Sequence, residues 1–576
     1  MKKQSFLHGA LILTAGIVLV KLIGALFKVP LTWIVTEDGM GYFNTAYNFY
    51  SPIHSLAAAG FPIAIARMVS ESSTVRRYRD IRRIYRVSVP LFLMTGTAGF
   101  LIMLFGAPLY SRLIGNPQSL PALYALAPSV LLSCMISVYR GYYEGLRNMY
   151  PTAVSEILEA VGKLVIGLSL AWLIVTAGMR EYERFGTVFG MAVQSEEYAR
   201  NATLPLAAAG AVFGVTAGSL LAWIYLAVRH RKKGDGISKQ ELSESPQALP
   251  ARTVVRRLLK TALPIGAGAL AVNVAGLVDT TFLQTRIRDV MERDPETVLR
   301  MYEGIIPEIN LENGTVPNFL FGCFSMALTL FMAVPSITQA FGISALPNVT
   351  AAWTKGGKAE LKRSMEAVLR ITALFSIPTG LGMCVLSGPV TQLVFGNRSS
   401  LPVTSHVLAV LGIAAIFASL STPLNSMLQA IGRVDLPVKI LLVGLAIKVG
   451  LNYLLVGIPE LNVLGAGVGT LACYLFLTVS ALILLCRETG VKLDVDSVFL
   501  KPSVASALCC VSAFLFDTVL NGILDSRFAT VLSVAGAAVV YVVALFVLRA
   551  VRREDFLMLP KGQKIVRTLE KYDWIR

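Results

Sequence analysis

The chain is poor in charge, poorer still in acid, and nearly without histidine. Asp, Glu, Lys and Arg make up 15% of its 576 residues while 55% are hydrophobic, a balance that excludes a water-soluble multidomain protein. The acids are the scarcer charges, 35 against 52 Lys and Arg, which leaves a net +17. His8, His54, His230 and His406 are too scattered for a histidine metal centre. The seven cysteines include no C-x-x-C pair and lie in or beside apolar stretches, so they read as small buried hydrophobes. No G-x-x-x-x-G-K-[ST] loop is present, which excludes that route to nucleotide hydrolysis. No external pair of carboxylates stands out for glycosyl transfer, and no enzymatic activity is expected.

What the chain has instead is long apolar runs, with a mean hydropathy of +0.65. About fourteen segments are long enough to span a bilayer: 8–35, 42–68, 87–110, 120–146, 152–178, 205–229, 258–285, 318–342, 365–388, 402–430, 437–457, 463–486, 502–522 and 528–549. The first follows a basic start, as a signal peptide would. Its apolar pattern continues past Lys21 to Val35 without an A-x-A-like site, so a retained helix is expected. Lys and Arg gather in loops 69–86, 230–257 and 343–364 and in the tail after 549. That bias places those segments and both termini in the cytoplasm. Spread this way along a membrane protein, the basic residues give no face for nucleic acid.

The segment 230–257, with GDGISKQELSESPQALP, has linker composition and divides the chain. The expected organisation is an N-lobe at 1–229 with six spans, this linker, a C-lobe at 258–487 with six more, and two last helices with a basic tail at 488–576. The long loop at 286–317 is acidic and suits a short surface helix. The halves resemble each other. EGLRNMYP precedes a span holding Lys163, QAIGRVDLP precedes one holding Lys448, and Glu144 is as far from Lys163 as Gln429 is from Lys448. With AAAGFPIAIARMVSE facing QAFGISALPNVTAAW as a weaker second match, parallel duplication of a six-helix bundle is the economical explanation.

Charges inside the spans mark the candidate site, because each costs roughly 2.5 to 3.5 kcal/mol at the bilayer centre on insertion scales. In YPTAVSEILEAVGKLVIGL, Glu156, Glu159 and Lys163 share one helix face. Lys21 and Lys28 share another on helix one, and Lys21 is too deep to snorkel easily. Arg140 and Glu144 at i, i+4 suit a structural ion pair, and Glu159 stands one turn before Lys163 and suits neutralising it. Asn44 and Asn48 on helix two fit interhelical glue or contacts to phosphate and sugar oxygens equally well. Asp279 lies in the seventh span and Arg67 at the cytoplasmic mouth. Pro52, Gly60 and Pro62 in the second span, and Pro264, Gly266 and Gly268 in the seventh, suit bending points.

The stretch VKLIGALFKVPLTWIVTEDGMGYFNTAYNFYSPIHSLAAAGFPIAIARMVSE, with YYEGLRNMYPTAVSEILEAVGKL, resembles the polysaccharide-export and lipid-flippase branch of the multidrug/oligosaccharidyl-lipid/polysaccharide exporter superfamily. Within it the pattern is most similar to the stage V sporulation protein B-like group, beside the lipid II flippases. The resemblance implies an all-α polytopic membrane fold, MATE-like, with two pseudo-symmetric six-helix lobes around a cationic cavity plus two C-terminal helices. It also implies an essential basic residue before a glycine on helix one, a position that Lys21 matches before Gly24.

The function expected is a flippase in the bacterial cytoplasmic membrane for an undecaprenyl-diphosphate-linked saccharide. Lys21, Lys28, Arg67, Asn44, Asn48, Lys163 and Lys448 are the substrate-binding candidates, and Glu156, Glu159 and Asp279 the ion-coupling ones. No cofactor is expected, the drive being an ion gradient or the membrane potential. A monomer that associates with cell-wall synthesis proteins is expected. A multidrug or organic-cation antiporter of the same fold and a non-transporting membrane scaffold remain alternatives.

Overall fold

The computed structural model describes residues 6–552, and the basic tail expected at the C-terminus lies outside them from 553 on. The chain is built from helices α1 (Phe6–His54), α2 (Gly60–Thr74), α3 (Tyr78–Leu113), α4 (Leu120–Gly145), α5 (Tyr150–Gly162), α6 (Leu168–Phe185), α7 (Glu196–Lys233), α8 (Lys239–Glu244) and α9 (Ala251–Arg293). After the short α10 (Pro295–Met301) and α11 (Glu308–Glu312) come α12 (Val316–Thr354), α13 (Lys358–Val385), α14 (Ser387–Phe395), α15 (Leu401–Ala430) and α16 (Asp435–Val456). The last three are α17 (Asn462–Thr489), α18 (Lys501–Leu520) and α19 (Ser526–Val547). A hairpin of two-residue strands, β1 (Thr187–Val188) and β2 (Met191–Ala192), closes the loop after α6.

Among the described residues thirteen helical runs are long and apolar enough to cross a membrane. The first, Leu19–Thr74, has 56 residues, about 84 Å at 1.5 Å per residue, where the hydrocarbon core needs about 30 Å. It is broken at Thr36, whose φ of 54° and ψ of −163° are not helical. Glu37 and Asp38 follow at once, so this run is long enough for two spans that meet there, which fits the count of about fourteen segments read from hydropathy.

Two other irregularities lie where the sequence carries proline or small residues. Pro52 cannot donate to the helical ladder, and the helix passes through a π turn at Ser55–Ala59 before resuming as α2. There Gly60 lies against the Ala262 carbonyl of α9, where a Cβ has no room. A second π turn, Lys163–Gly167, joins α5 to α6 as one membrane-crossing rod.

The chain forms two compact units. The first runs through Arg288 and includes Pro307–Gly322; the second holds Asp289–Ile306 and the chain from Cys323 on. In the first, α4 packs on α3 and α7, and α7 also receives α5, α6 and α1. In the second, α15 packs on α13 and α17 over Met365, Leu369, Met427, Leu428 and Leu485. The α18–α19 pair is tied to this bundle at its base. Arg552 meets Asp494 at 2.8 Å and Glu366 at 3.9 Å, and the Asp494 amide donates to Glu366 at 2.8 Å.

Candidate functional site

Glycine sets the geometry around Lys163. A Cβ on Gly162 would lie 2.6 Å from Gly218 Cα, one on Gly214 2.5 Å from Gly167 Cα, and one on Gly218 2.5 Å from the Glu159 carbonyl oxygen. α5 and α7 therefore touch backbone to backbone, as small-residue faces do in membranes. Lys163 begins the π turn directly above this contact and reaches toward α1. Its Nζ lies 4.7 Å from the Phe27 ring centre, 5.1 Å from Tyr47 and 5.9 Å from Phe43. Phe27 and Phe43 are buried, and the three rings follow one another 5.8 and 6.0 Å apart. Aromatic faces thus do for this ammonium what a carboxylate does elsewhere. Half-buried Lys28, next to Phe27, and Glu159, one turn earlier on the same helix, both lie within electrostatic reach of it.

Glu159 is engaged away from Lys163. Arg140 Nη2 donates to Glu159 Oε2 at 2.9 Å and Arg140 Nε to Ser155 Oγ at 2.9 Å, while Ser219 Oγ donates to Glu159 Oε1 at 2.9 Å. Neither helix-local pair suggested by the sequence forms: Arg140 crosses to α5, and Glu144 instead accepts from Thr152 at 3.0 Å. Among the described residues neither Lys28 nor Lys163 has a carboxylate partner. Beside Arg140 opens a cavity of about 360 Å³, lined by His54, Ser133, Ser137, Glu144, Glu156 and Glu159. One unit therefore holds an aromatic-lined cationic centre and, further along the same face of the helix rod, a mixed, acid-rich cavity.

The other sequence candidates lie apart from that core. Lys21 is exposed on α1. Arg67 is exposed and pairs with Glu71 at 3.0 Å, which also receives Arg257 at 3.3 Å. Asn44 donates to the Met40 carbonyl of its own helix at 3.0 Å, and Asn48 donates to Thr280 Oγ1 on α9 at 2.8 Å, where Gly276 lets the helices approach. Both amides thus have structural partners. Asp279 is buried beside Thr280. In the second unit Lys448 is buried on the α16 stripe that also holds Gly444 and Asn452.

Two features escaped the sequence reading. At the Thr36 break, buried Asp38 accepts from Asn310 at 2.9 Å, Asn318 at 3.0 Å and Asn201 at 3.5 Å. Asn116 continues the network to Asn318 at 2.9 Å and Gln284 at 2.8 Å, and Gln284 donates to Thr45 at 2.7 Å. The adjacent Glu37 and Asp38, between two apolar runs, were the available signal. The second is the linker, which is strapped onto the start of α3. Arg82 meets Asp235 at 3.0 Å, Tyr142 donates to Asp235 at 3.1 Å, and Arg79 donates to the Leu242 carbonyl at 2.9 Å. Burial alone would push the Asp235 carboxyl up; hydrogen bonds from Arg82 and the Ile237 amide, with the Arg82 charge, outweigh it and hold the group below the usual carboxylate range.

Comparison with known proteins adds a lineage to this geometry. Residues 6–194 match a family described as polysaccharide biosynthesis protein, and residues 324–534 match one described as lipid II flippase MurJ. The chain is 23% identical over 501 residues to the lipid II flippase MurJ of Bacillus subtilis (strain 168), covering 84% of each chain. It is 23% identical over 577 residues to stage V sporulation protein B of the same organism, covering 98% of this chain and all of that one. Among solved structures, an inward closed lipid II flippase MurJ matches 94% of this chain and 98% of its own with a TM-score of 0.61 at 11% identity. An inward-facing MATE multidrug transporter matches 81% and 94% with a TM-score of 0.59 at 13% identity.

Proposed function

We propose, from the premise that this chain belongs to the SpoVB/MurJ-like part of the multidrug/oligosaccharidyl-lipid/polysaccharide exporter superfamily, that it flips an undecaprenyl-diphosphate-linked saccharide from the inner to the outer leaflet. It is a multi-pass membrane protein of a transporter family. The bacterial cytoplasmic membrane is the location this reading assigns, with both termini inside as the loop charges suggest.

The observation that carries the reading is the pair Lys28 and Lys163, held inside a membrane-crossing unit with no salt bridge among the described residues, the nearby Glu159 being taken up by Arg140 and Ser219. Such charges cost several kcal/mol to place there, and a desolvated cation–ring contact such as those around Lys163 offsets about 2 kcal/mol. An anionic substrate supplies the remaining attraction, and a diphosphate carries the charge to meet two ammonium groups in a low-dielectric site. Lys21, exposed on the same helix face as Lys28, suits an earlier contact on the entry path. Alternating access then exposes the site to each side in turn. With no nucleotide-binding loop in the sequence, an ion gradient or the membrane potential supplies the drive, with Glu156, Glu159 and Asp279 as the groups to respond to it.

Reconstitution tests this. In liposomes carrying a fluorescent undecaprenyl-diphosphate saccharide, Lys28→Ala and Lys163→Ala should each slow flipping by about tenfold or more, the worth of one charge-assisted contact. Folding is followed by thermal unfolding of the same samples. Wild-type rates in both variants would overturn the assignment.

The acid-rich cavity at Glu144, Glu156 and Glu159 favours a second reading, an organic-cation antiporter of the same fold. That reading requires a cationic dye to bind the purified protein and Glu156→Gln to abolish the binding.

A further inference from the structure

Helices α2 and α4 end in the same unusual way. Each is closed by an arginine in the left-handed region, Arg76 at φ 56° and Arg147 at φ 58°. The Arg147 amide donates to the Glu144 carbonyl at 2.9 Å and the Asn148 amide to the Tyr143 carbonyl at 2.9 Å; after α2 the corresponding bonds run from Arg76 to Ser73 at 3.3 Å and from Arg77 to Ser72 at 2.8 Å. Glycine is the residue this backbone favours, since a Cβ there crowds the chain.

The turns of the second half that match these two use glycine, and among the described residues a left-handed arginine recurs there only at the end of α19, Arg549 at φ 47°. After α15 the same pair of bonds recurs, Gly432 to Gln429 and Arg433 to Leu428, both at 3.0 Å, with Gly432 at φ 88°. After α12, Gly356 at φ 71° donates to the Trp353 carbonyl at 3.0 Å. The turn itself does not call for a side chain, and the first half bears backbone strain at both places where it keeps one. Strain retained in this way points to a use for the side chain.

Both arginines line one cavity of about 470 Å³, with Ser73 and Tyr78 on its wall and Glu241 and Glu244 of α8 facing in from the strap. Among the described residues neither guanidinium has a hydrogen bond or ion pair. The two glutamates are engaged within α8: Glu241 accepts from the Ser238 amide at 2.8 Å and hydroxyl at 2.9 Å in a capping box, and Glu244 accepts from Gln240 at 3.0 Å. Both arginines are exposed, so the cavity presents to solvent two cationic planar forks suited to phosphate oxygens.

We propose that this cavity binds a phosphate-bearing anion between Arg76 and Arg147, and that α8 is an acidic shutter competing with it. The site shares no residue with the Lys28–Lys163 centre, so it stands or falls without the transport reading. A lipid headgroup and a soluble phosphate offer the same chemistry.

The experiment uses the full chain in two kinds of nanodisc, phosphatidylcholine alone with inorganic diphosphate titrated in, and phosphatidylcholine mixed with phosphatidylglycerol without soluble phosphate. The readout is amide hydrogen exchange of residues 238–245. Exchange should rise saturably in at least one arm as the anion displaces α8: a response only to diphosphate assigns a soluble ligand, one only to phosphatidylglycerol a headgroup. Replacing both arginines with glycine, which the backbone there prefers, should leave thermal stability unreduced and weaken the response about tenfold or more. Glu241→Gln with Glu244→Gln, which keeps the capping box, should shift the midpoint to lower anion concentration. No response in either arm, a response that survives loss of both arginines, or a higher midpoint in the glutamine variant overturns the proposal.

Discussion

Lys163 is defined by what surrounds it more than by its charge. A lysine among Phe27, Tyr47 and Phe43 with no carboxylate partner is a net cost to folding even with the ring contacts. Lys163→Met keeps the length and apolar volume and removes that cost, so it should raise stability by about 1 kcal/mol or more while stopping transport. A lysine serving only to hold the bundle would give the reverse, lower stability with transport intact, in thermal unfolding and liposome assays of one preparation. The lysines and acids of this region were legible in the sequence because charge in an apolar run stands out. Their partners were not. Phe27, Phe43 and Tyr47 resemble any other membrane aromatics, and helical spacing offered Glu144 to Arg140 where the fold supplies Glu159 across a helix boundary.

At the level of the element, the α5–α7 contact leaves no room for a methyl group. Gly214→Ala would set a carbon 2.5 Å from Gly167 Cα. It should destabilise the protein by about 1 to 3 kcal/mol, the usual cost of overpacking, and displace Lys163 from its rings. Thermal unfolding beside the same change at Gly268, which has open space around it, isolates the effect. The spans themselves were legible from hydropathy. The π turns were not, because five residues of altered hydrogen bonding leave no compositional mark. The linker is the instructive case. GDGISKQELSESPQALP reads as spacer by composition, yet Asp235 and the backbone at 242 and 243 are held by arginines far away in sequence. Its pH response follows from Asp235. The folded carboxyl lies below its unfolded value near 4, so its contribution is complete above that value and is lost as pH falls through the folded one. Protection of residues 235–245 against hydrogen exchange, relative to the intrinsic rate at each pH, should therefore fall below about pH 4, and Asp235→Asn should show lower protection already at pH 7. A pH-independent strap would contradict this.

Across the whole molecule, duplication was legible because Lys163 and Lys448 recur at one offset. The turns at Arg147 and Gly432 close with the same pair of hydrogen bonds, as do other helix ends of this chain. The two halves differ in charge. Lys163 stands beside Lys28 and a ring cage, whereas the Lys448 stripe on α16 continues through Gly444 and Asn452. A repeated frame with an unequal distribution of charge is what a carrier of one anionic headgroup would use. The most direct test is native mass spectrometry of lipid retained by the purified protein. The wild type should carry a polyprenyl lipid bearing a diphosphate-linked saccharide, and the Lys28→Ala/Lys163→Ala variant, equally folded, should have lost it. A wild type that retains no diphosphate lipid, or a variant that retains it undiminished, would contradict the account.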